Sequence, residues 1–228
     1  MKRIAIAIPA CEPAPALVGV VRGLIPRFRD IVIVDDGSRS AGDVFEAVSG
    51  MEGVRILVHP QNRGKGAALK TAFAEILRTV PGLHGVVTAD ADGQHVPSDI
   101  LRVAKALENE TGNLVLGARA FSGEIPFRSR LGNFWTRAEF RLLTGVKVDD
   151  TQSGLRGIPK KLLPRIMGLK GDRYEYETRM LVDCARRLGR PVHVPVSTVY
   201  EKGNPTSRYR PLADTLRTQS ALFAAAFF

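Results

Sequence analysis

Short apolar, β-branched runs alternate with helical patterns through the first 120 residues of this chain, and that rhythm limits the folds open to it. Residues 4–8, 31–34, 54–58, 85–88 and 114–117 read as buried strands. Between them, residues 16–26, 42–48, 67–77 and 99–107 carry helical spacing, with Ser98 placed as an N-cap for the last. Strand–helix alternation of this kind predicts an α/β fold: a mostly parallel, Rossmann-like central sheet with helices on both faces. Such sheets bind ligands beyond the carboxyl ends of their strands. The residues predicted there are Pro9-Ala10, Asp35-Asp36, Asp90-Ala91-Asp92 and Gly117-Ala118-Arg119. Folding alone does not require Asp and Arg at all these ends.

The most informative of them is Thr88-Ala89-Asp90-Ala91-Asp92-Gly93-Gln94-His95. Two carboxylates at i and i+2 on one strand end can face one site. Held close together, they repel unless a cation lies between them. A hard divalent ion, Mg²⁺ or Mn²⁺, takes oxygen ligands and shares them with a diphosphate. A lone Asp-x-Asp is also compatible with a solvated turn. Arg119 suits a phosphate through its planar fork, or else a surface position. Lys65, between Gly64 and Gly66, has the freedom to approach a phosphate.

The chain has 228 residues with 33 Lys and Arg against 23 Asp and Glu, a net charge of +10. That balance favours anionic partners: nucleic acid, anionic lipid or phosphorylated substrates. Its two cysteines, Cys11 and Cys184, suggest a reducing compartment and no disulfide framework. The first apolar run is too short for a signal peptide. No window of 18 or more apolar residues offers a membrane span.

After Phe121 the alternation breaks. Residues 125–145 read as a loop and an amphipathic helix with Arg128, Arg130, Arg137 and Arg141 beside Phe134, Trp135 and Phe140. A basic helix with Trp and Phe suits a membrane surface, and equally a helix packed on the sheet with a solvated basic face. Asp149 to Gly154 forms a compact polar turn before a possible strand at 155–158. Tyr174-Glu175-Tyr176-Glu177 opens a helix through Arg187, its acids read as N-terminal charge. A strand at 191–199, a Gly/Pro/Ser loop at 201–210 and a terminal helix at 212–228 complete the reading. None of His59, His84, His95 and His193 is marked as a general base by spacing.

In this order the segments resemble the family 2 inverting glycosyltransferases of GT-A fold, in particular the polyprenyl-phosphate (dolichol-phosphate mannose synthase-like) branch. The matching pieces are Ile8-Pro9-Ala10, Val32 to Ser38, Asn62 to Ala68, Asp90 to His95, Gly117-Ala118-Arg119, Asp150 to Arg156 and Ser207 to Pro211. The resemblance implies one domain over 1–228, with a nucleotide-sugar half (1–120) and an acceptor half (121–228) ending in an amphipathic helix. It implies that Pro9, Ala10, Glu12 and Asp36 hold a base and ribose, with Lys65 and Ala91 also in the nucleotide-sugar site. It places Asp90, Asp92 and Gln94 around the metal and diphosphate. Arg119, Arg128, Arg130, Arg208 and Arg210 are implied to grip an acceptor phosphate, and Asp150 and Gln152 to line the sugar side. Asp90, Asp92, Arg119, Asp150 and Gln152 form the implied catalytic set. One departure is the stretch Pro9-Ala10-Cys11-Glu12-Pro13, where the family usually reads Pro-Ala-Tyr-Asn-Glu, so the aromatic contact to the base is lost.

The implied activity is metal-dependent transfer of a sugar, with inversion, from a GDP- or UDP-sugar to a dolichyl or undecaprenyl phosphate. The enzyme would be peripheral on the cytoplasmic face of a membrane. A phosphate acceptor is already anionic and needs no strong base, whereas a hydroxyl acceptor would need one such as Asp150. A soluble family 2 transferase acting on a hydroxyl, and a non-catalytic sugar-nucleotide-binding protein, are the alternatives. No recognised nucleic-acid motif accompanies the basic charge.

Overall fold

The computed structural model describes residues 2–119, 127–197, 220, 222 and 223, with 127–135 as backbone only. Its first half alternates as the sequence suggests: β1 (Arg3–Ala10), α1 (Ala16–Leu24), β2 (Ile31–Asp35), α2 (Gly42–Ser49), β3 (Val54–Val58), α3 (Lys65–Thr79), β4 (Leu83–Thr88), α4 (Pro97–Asn109) and β5 (Val115–Arg119). Then come α5 (Phe127–Thr144), β6 (Arg156–Pro159), a 3₁₀ turn (Lys160–Leu162), α6 (Leu163–Met167), α7 (Glu175–Leu188) and β7 (Val192–Val196). The expected loop at 201–210 and most of the expected helix at 212–228 lie outside the described residues. Ser220, Leu222 and Phe223 are helical.

The seven strands form one sheet in the order β3-β2-β1-β4-β6-β5-β7. All pairings are parallel except those of β6, which runs antiparallel to both β4 and β5. The mostly parallel sheet is thus as expected, while the insertion of a reversed β6 between β4 and β5 is not visible in the sequence. Helix α4 starts on Pro97, not Asp99. Val96 holds the extended cap position and Ser98 lies inside the first turn. Proline suits that first position because its φ is preset and its missing N–H has no intrahelical partner there.

Period-two alternation along the strands separates two apolar layers. On one face Ala5 and Ala7 of β1 and Val32 and Val34 of β2 meet Ala68, Leu69, Ala72 and Phe73 of α3 and the buried stripe of α7. The small alanines let α3 lie close to the sheet. On the other face Ile4, Ile6 and Ile8 meet Leu17, Val20, Val21 and Leu24 of α1. That i, i+3, i+4, i+7 stripe explains the helix, and each such side chain stabilises the fold by about 1.5–3 kcal/mol on burial.

Register then levels the strand ends. Ala10 pairs with Asp35, and Ala7 with Thr88. The Asp90–Asp92 turn therefore leaves β4 beside Pro9 and Ala10 of β1. Opposite it, the Thr88 hydroxyl donates to the Gly154 carbonyl at 2.7 Å, tying the loop before β6 to the same end of the sheet.

Candidate active site

A cleft of about 950 Å³ opens over these carboxyl ends. From the nucleotide half it takes Pro9, Ala10, Glu12, Asp36 and Lys65; from the β4 turn, Asp90, Ala91, Asp92 and Gln94; from beyond, Arg119 and Gln152. Asp150 stands behind this wall. The backbone at Arg128 and Arg130 belongs to α5, and Arg208 and Arg210 lie outside the described residues.

Several of these side chains have protein partners. Asp36 is buried, with Oδ1 2.7 Å from His59 Nδ1 and accepting the Arg63 N–H at 2.8 Å, while Oδ2 accepts the Gly64 N–H at 2.7 Å. It therefore shapes the 59–64 loop that leads into α3. Glu12 accepts the backbone N–H groups of Arg39 and Ser40 through its two oxygens, pinning the loop after β2.

Lys65 meets carboxylates where the sequence suggested a phosphate. Its ammonium lies 2.6 Å from Asp90 Oδ1 and 2.7 Å from Glu177 Oε2. Burial would lower the Lys65 pKa, but the charges of Asp90 and Glu177 outweigh it and raise the group. Burial would likewise raise Asp90, yet the Lys65 ammonium holds it down at about 2. Asp92 shifts the other way: burial, and then the charge of Asp90, raise it. Among the described residues Asp90 is in ion-pair contact with Lys65, and Asp92 makes no such pair.

Two glycines make this packing possible. Gly64 sits at φ +107, where a Cβ would strike the Asp172 carbonyl at 2.3 Å. This close approach lets the segment before α7 seal the start of α3. At Gly154 a Cβ would fall 2.6 and 2.9 Å from the two Asp90 oxygens and 2.9 Å from Lys65 Nζ. The bare backbone there cradles the ion pair.

On the far side Arg119 forks onto Asp150, Nε to Oδ2 at 2.6 Å and Nη2 to Oδ1 at 3.1 Å. Asp150 is fully buried and also accepts the Gln152 N–H at 2.9 Å. The pair fixes the guanidinium at the cleft wall and leaves the carboxylate facing inward.

Sequence reasoning missed Glu177 and Arg156. Glu177 of α7 lines the cleft, and its Oε1 is buried with no hydrogen-bond partner among the described residues. The signal was an acid lying three and four residues before the buried Met180 and Leu181, on the apolar stripe. Buried Arg156 donates Nε to the Ser153 carbonyl at 3.0 Å and Nη1 to the Glu177 carbonyl, joining β6 to α7. His95 accepts the Asp90 N–H on Nδ1 at 3.0 Å, steadying the turn.

The donor set suits a shared cation site. Asp92 uses Oδ1 to accept the Gln94 N–H, leaving Oδ2 as a hard oxygen at the cleft. Among the described residues no group of three or more His, Cys, Asp or Glu could hold a metal by itself. A Mg²⁺-like ion held by one or two carboxylates, completing its shell with substrate phosphates and water, matches such a sparse set.

A largely parallel sheet with an antiparallel strand inserted beside a carboxylate turn is the arrangement expected of a GT-A fold. The glycosyl transferase family 2 model matches residues 5–166, and the chain belongs to that family. It is 34% identical over 178 residues to an uncharacterized protein of Methanocaldococcus jannaschii, covering 76% of this chain and 71% of that one. It is 29% identical over 221 residues to the UDP-N-acetylglucosamine–dolichyl-phosphate N-acetylglucosaminyltransferase of Methanococcus voltae, covering 87% of this chain and 86% of that one. Among solved structures, glucosyl-3-phosphoglycerate synthase of Mycobacterium tuberculosis, in complex with Mn²⁺, UDP-glucose and glycerol 3-phosphate, superposes with a TM-score of 0.72 at 21% identity. That match covers 99% of this chain and 80% of that one and is a likeness of fold. The chain is a family 2 glycosyltransferase.

Proposed function

We propose that this enzyme transfers a sugar from a nucleoside-diphosphate sugar to a polyprenyl phosphate, with a divalent ion, at a membrane surface. The observation that carries the acceptor class is the state of Asp150. The carboxylate that the motif offers as a base for a hydroxyl acceptor is fully buried and forked by Arg119. Such a group positions its arginine and is poorly placed to collect a proton. An acceptor that is already anionic needs none. The dolichyl-phosphate acceptor in the name of the Methanococcus voltae relative agrees with this reading.

In this reading the first 120 residues hold the donor, with Pro9, Ala10, Glu12 and Asp36 around base and ribose. A bound Mg²⁺ or Mn²⁺ would offset the charge that develops on the departing diphosphate. Asp92 would hold it, with Asp90 and Gln94 alongside. Lys65 keeps Asp90 ionised and fixed in the same turn. Arg119, aimed by Asp150, presents its guanidinium toward the acceptor phosphate, and Gln152 lies beside the sugar. Arg128, Arg130, Arg208 and Arg210 would add positive charge on the acceptor side. Attack from the face opposite the leaving group inverts the anomeric carbon, and the chain's contribution is to hold two anions close together. No helix among the described residues is long and apolar enough to cross a membrane; in this reading attachment is peripheral, at the cytoplasmic face.

The test is a transfer assay with labelled GDP- and UDP-sugars, Mg²⁺ or Mn²⁺, and a polyprenyl phosphate in detergent. Label moving into the organic phase is the expected result and names the sugar. Label passing only to water-soluble hydroxyl acceptors, or metal-dependent binding without turnover, would replace this reading with one of the two alternatives.

A further inference from the structure

Helix α5 has two working faces. Thr136 and Phe140 line the catalytic cleft, and Phe140 is buried in the core. Two residues on, roughly 200° around the helix, Ala138 and Leu142 point away from it. There they join Arg137, Arg141, Lys147 and Val148 around a separate recess of about 610 Å³.

The chemistry of this recess is uneven. Arg137 is braced, its Nε donating to the Val148 carbonyl at 3.2 Å and its Nη2 lying 3.6 Å from Asp149 Oδ1. Asp149 is further occupied by Arg190 at 3.2 Å and His193 at 2.8 Å. Arg141 and Lys147 are exposed and have no carboxylate in ion-pair reach among the described residues. Between them Leu142 is 85% exposed. A lone exposed leucine is ordinary. A leucine flanked by cations with no ion-pair partner among the described residues, on the outer side of a helix whose inner side lines the cleft, has the composition of an interfacial anchor.

We propose that this outer face of α5, with Arg141, Leu142 and Lys147 at its centre, docks on an anionic phospholipid surface. Charge complementarity selects the partner: the recess carries only cationic and apolar side chains, on a chain of net charge +10. Leu142 enters the headgroup boundary, and the two cations meet lipid phosphates on either side. Arg128, Arg130 and Trp135 precede them on the same helix in sequence. Docking here keeps the catalytic cleft, which lies on the Thr136 side of α5, within about one helix diameter of the bilayer, where a lipid-linked phosphate would be presented. The benefit to catalysis rests on the proposed acceptor, whereas the docking itself does not.

The experiment measures sedimentation of the full chain with phosphatidylcholine vesicles, with and without phosphatidylglycerol, for wild type and for Arg141→Gln combined with Lys147→Gln. Both substitutions are on the surface and outside the catalytic cleft. Wild type should bind only the anionic vesicles and release as salt rises. The double variant should bind about 25-fold more weakly, each cation near an anionic surface adding roughly fivefold. Its transfer to a water-soluble short-chain prenyl phosphate, without vesicles, should stay within about twofold of wild type, the altered residues lying outside the cleft. Equal binding to both vesicle types, equal binding by the variant, or binding to a DNA duplex in place of vesicles would overturn the proposal. Absence of any prenyl-phosphate transfer by wild type, with vesicle binding as expected, would refute the acceptor reading and leave the docking surface standing.

Discussion

Replacing Lys65 with methionine removes the cation that Asp90 and Glu177 share. The ammonium lies 2.6 Å from one carboxylate and 2.7 Å from the other, and all three side chains are largely buried. Two unit charges left about 5 Å apart repel by about 3 kcal/mol at an effective dielectric of about 20. Breaking a buried ion pair by removing one partner costs about 3–5 kcal/mol. The loss should depend on pH. In the wild type Asp90 is held at about 2, below its ordinary value of 3.8. Its contribution to stability is therefore complete above pH ~4 and is lost only as pH falls toward ~2. In the variant one carboxylate, no longer neutralised, titrates above its unfolded value, so the folded state binds more protons than the unfolded state at mildly acidic pH. Variant stability then falls as pH rises. Urea unfolding should show a deficit of about 3–5 kcal/mol at pH 8, shrinking to about 1–2 kcal/mol at pH 5, with an unchanged m-value. Adding Glu177→Gln should recover about 2 kcal/mol at pH 8 by removing one of the two charges. A deficit below about 1 kcal/mol, or one identical at both pH values, would refute the shared-cation account.

Two further substitutions probe the same carboxylate site. Asp92→Asn should weaken Mn²⁺ binding, measured by titration calorimetry with a nucleoside diphosphate present, by at least about tenfold. It should leave stability equal or slightly higher, because burial and the Asp90 charge disfavour the Asp92 anion; undiminished Mn²⁺ affinity would remove Asp92 from the metal site. Gly154→Ala places a methyl 2.6 Å from Asp90 Oδ2 and 2.9 Å from Lys65 Nζ, closer than a methyl can sit, so the pair must move aside. The atoms met are the ends of a buried ion pair held on both sides, so the melting temperature should fall and kcat/KM should drop about 10- to 100-fold, and wild-type turnover would show that the position of the pair is immaterial.

The parallel strands were legible because each is a local signal: a short β-branched run, a turn, then a helical stripe. Val54–Val58 has the bounds its composition suggests, and β1, β2 and β4 differ only at their ends. The position of α4 was less so, since Pro97 and Ser98 both make good helix starts and only the backbone at Val96 decides between them. Strand β6 has four residues, Arg156–Pro159, too few to declare a direction; its place between β4 and β5 comes from pairing with strands distant in sequence.

Sequence alone determined the layered α/β plan, the level at which ligands meet the sheet, and the acidic turn after β4, because periodicity and turn chemistry act within a few residues. Tertiary structure decided the partners. Lys65 reaches Asp90 and Glu177 because α7 packs against the start of α3, although Glu177 lies 112 residues after Lys65 in the chain. Asp150 became an orienting group for Arg119 because the loop before β6 folds beneath the end of β5. Charges choose partners by distance and burial, and those quantities exist only once separate segments of the chain have been brought together.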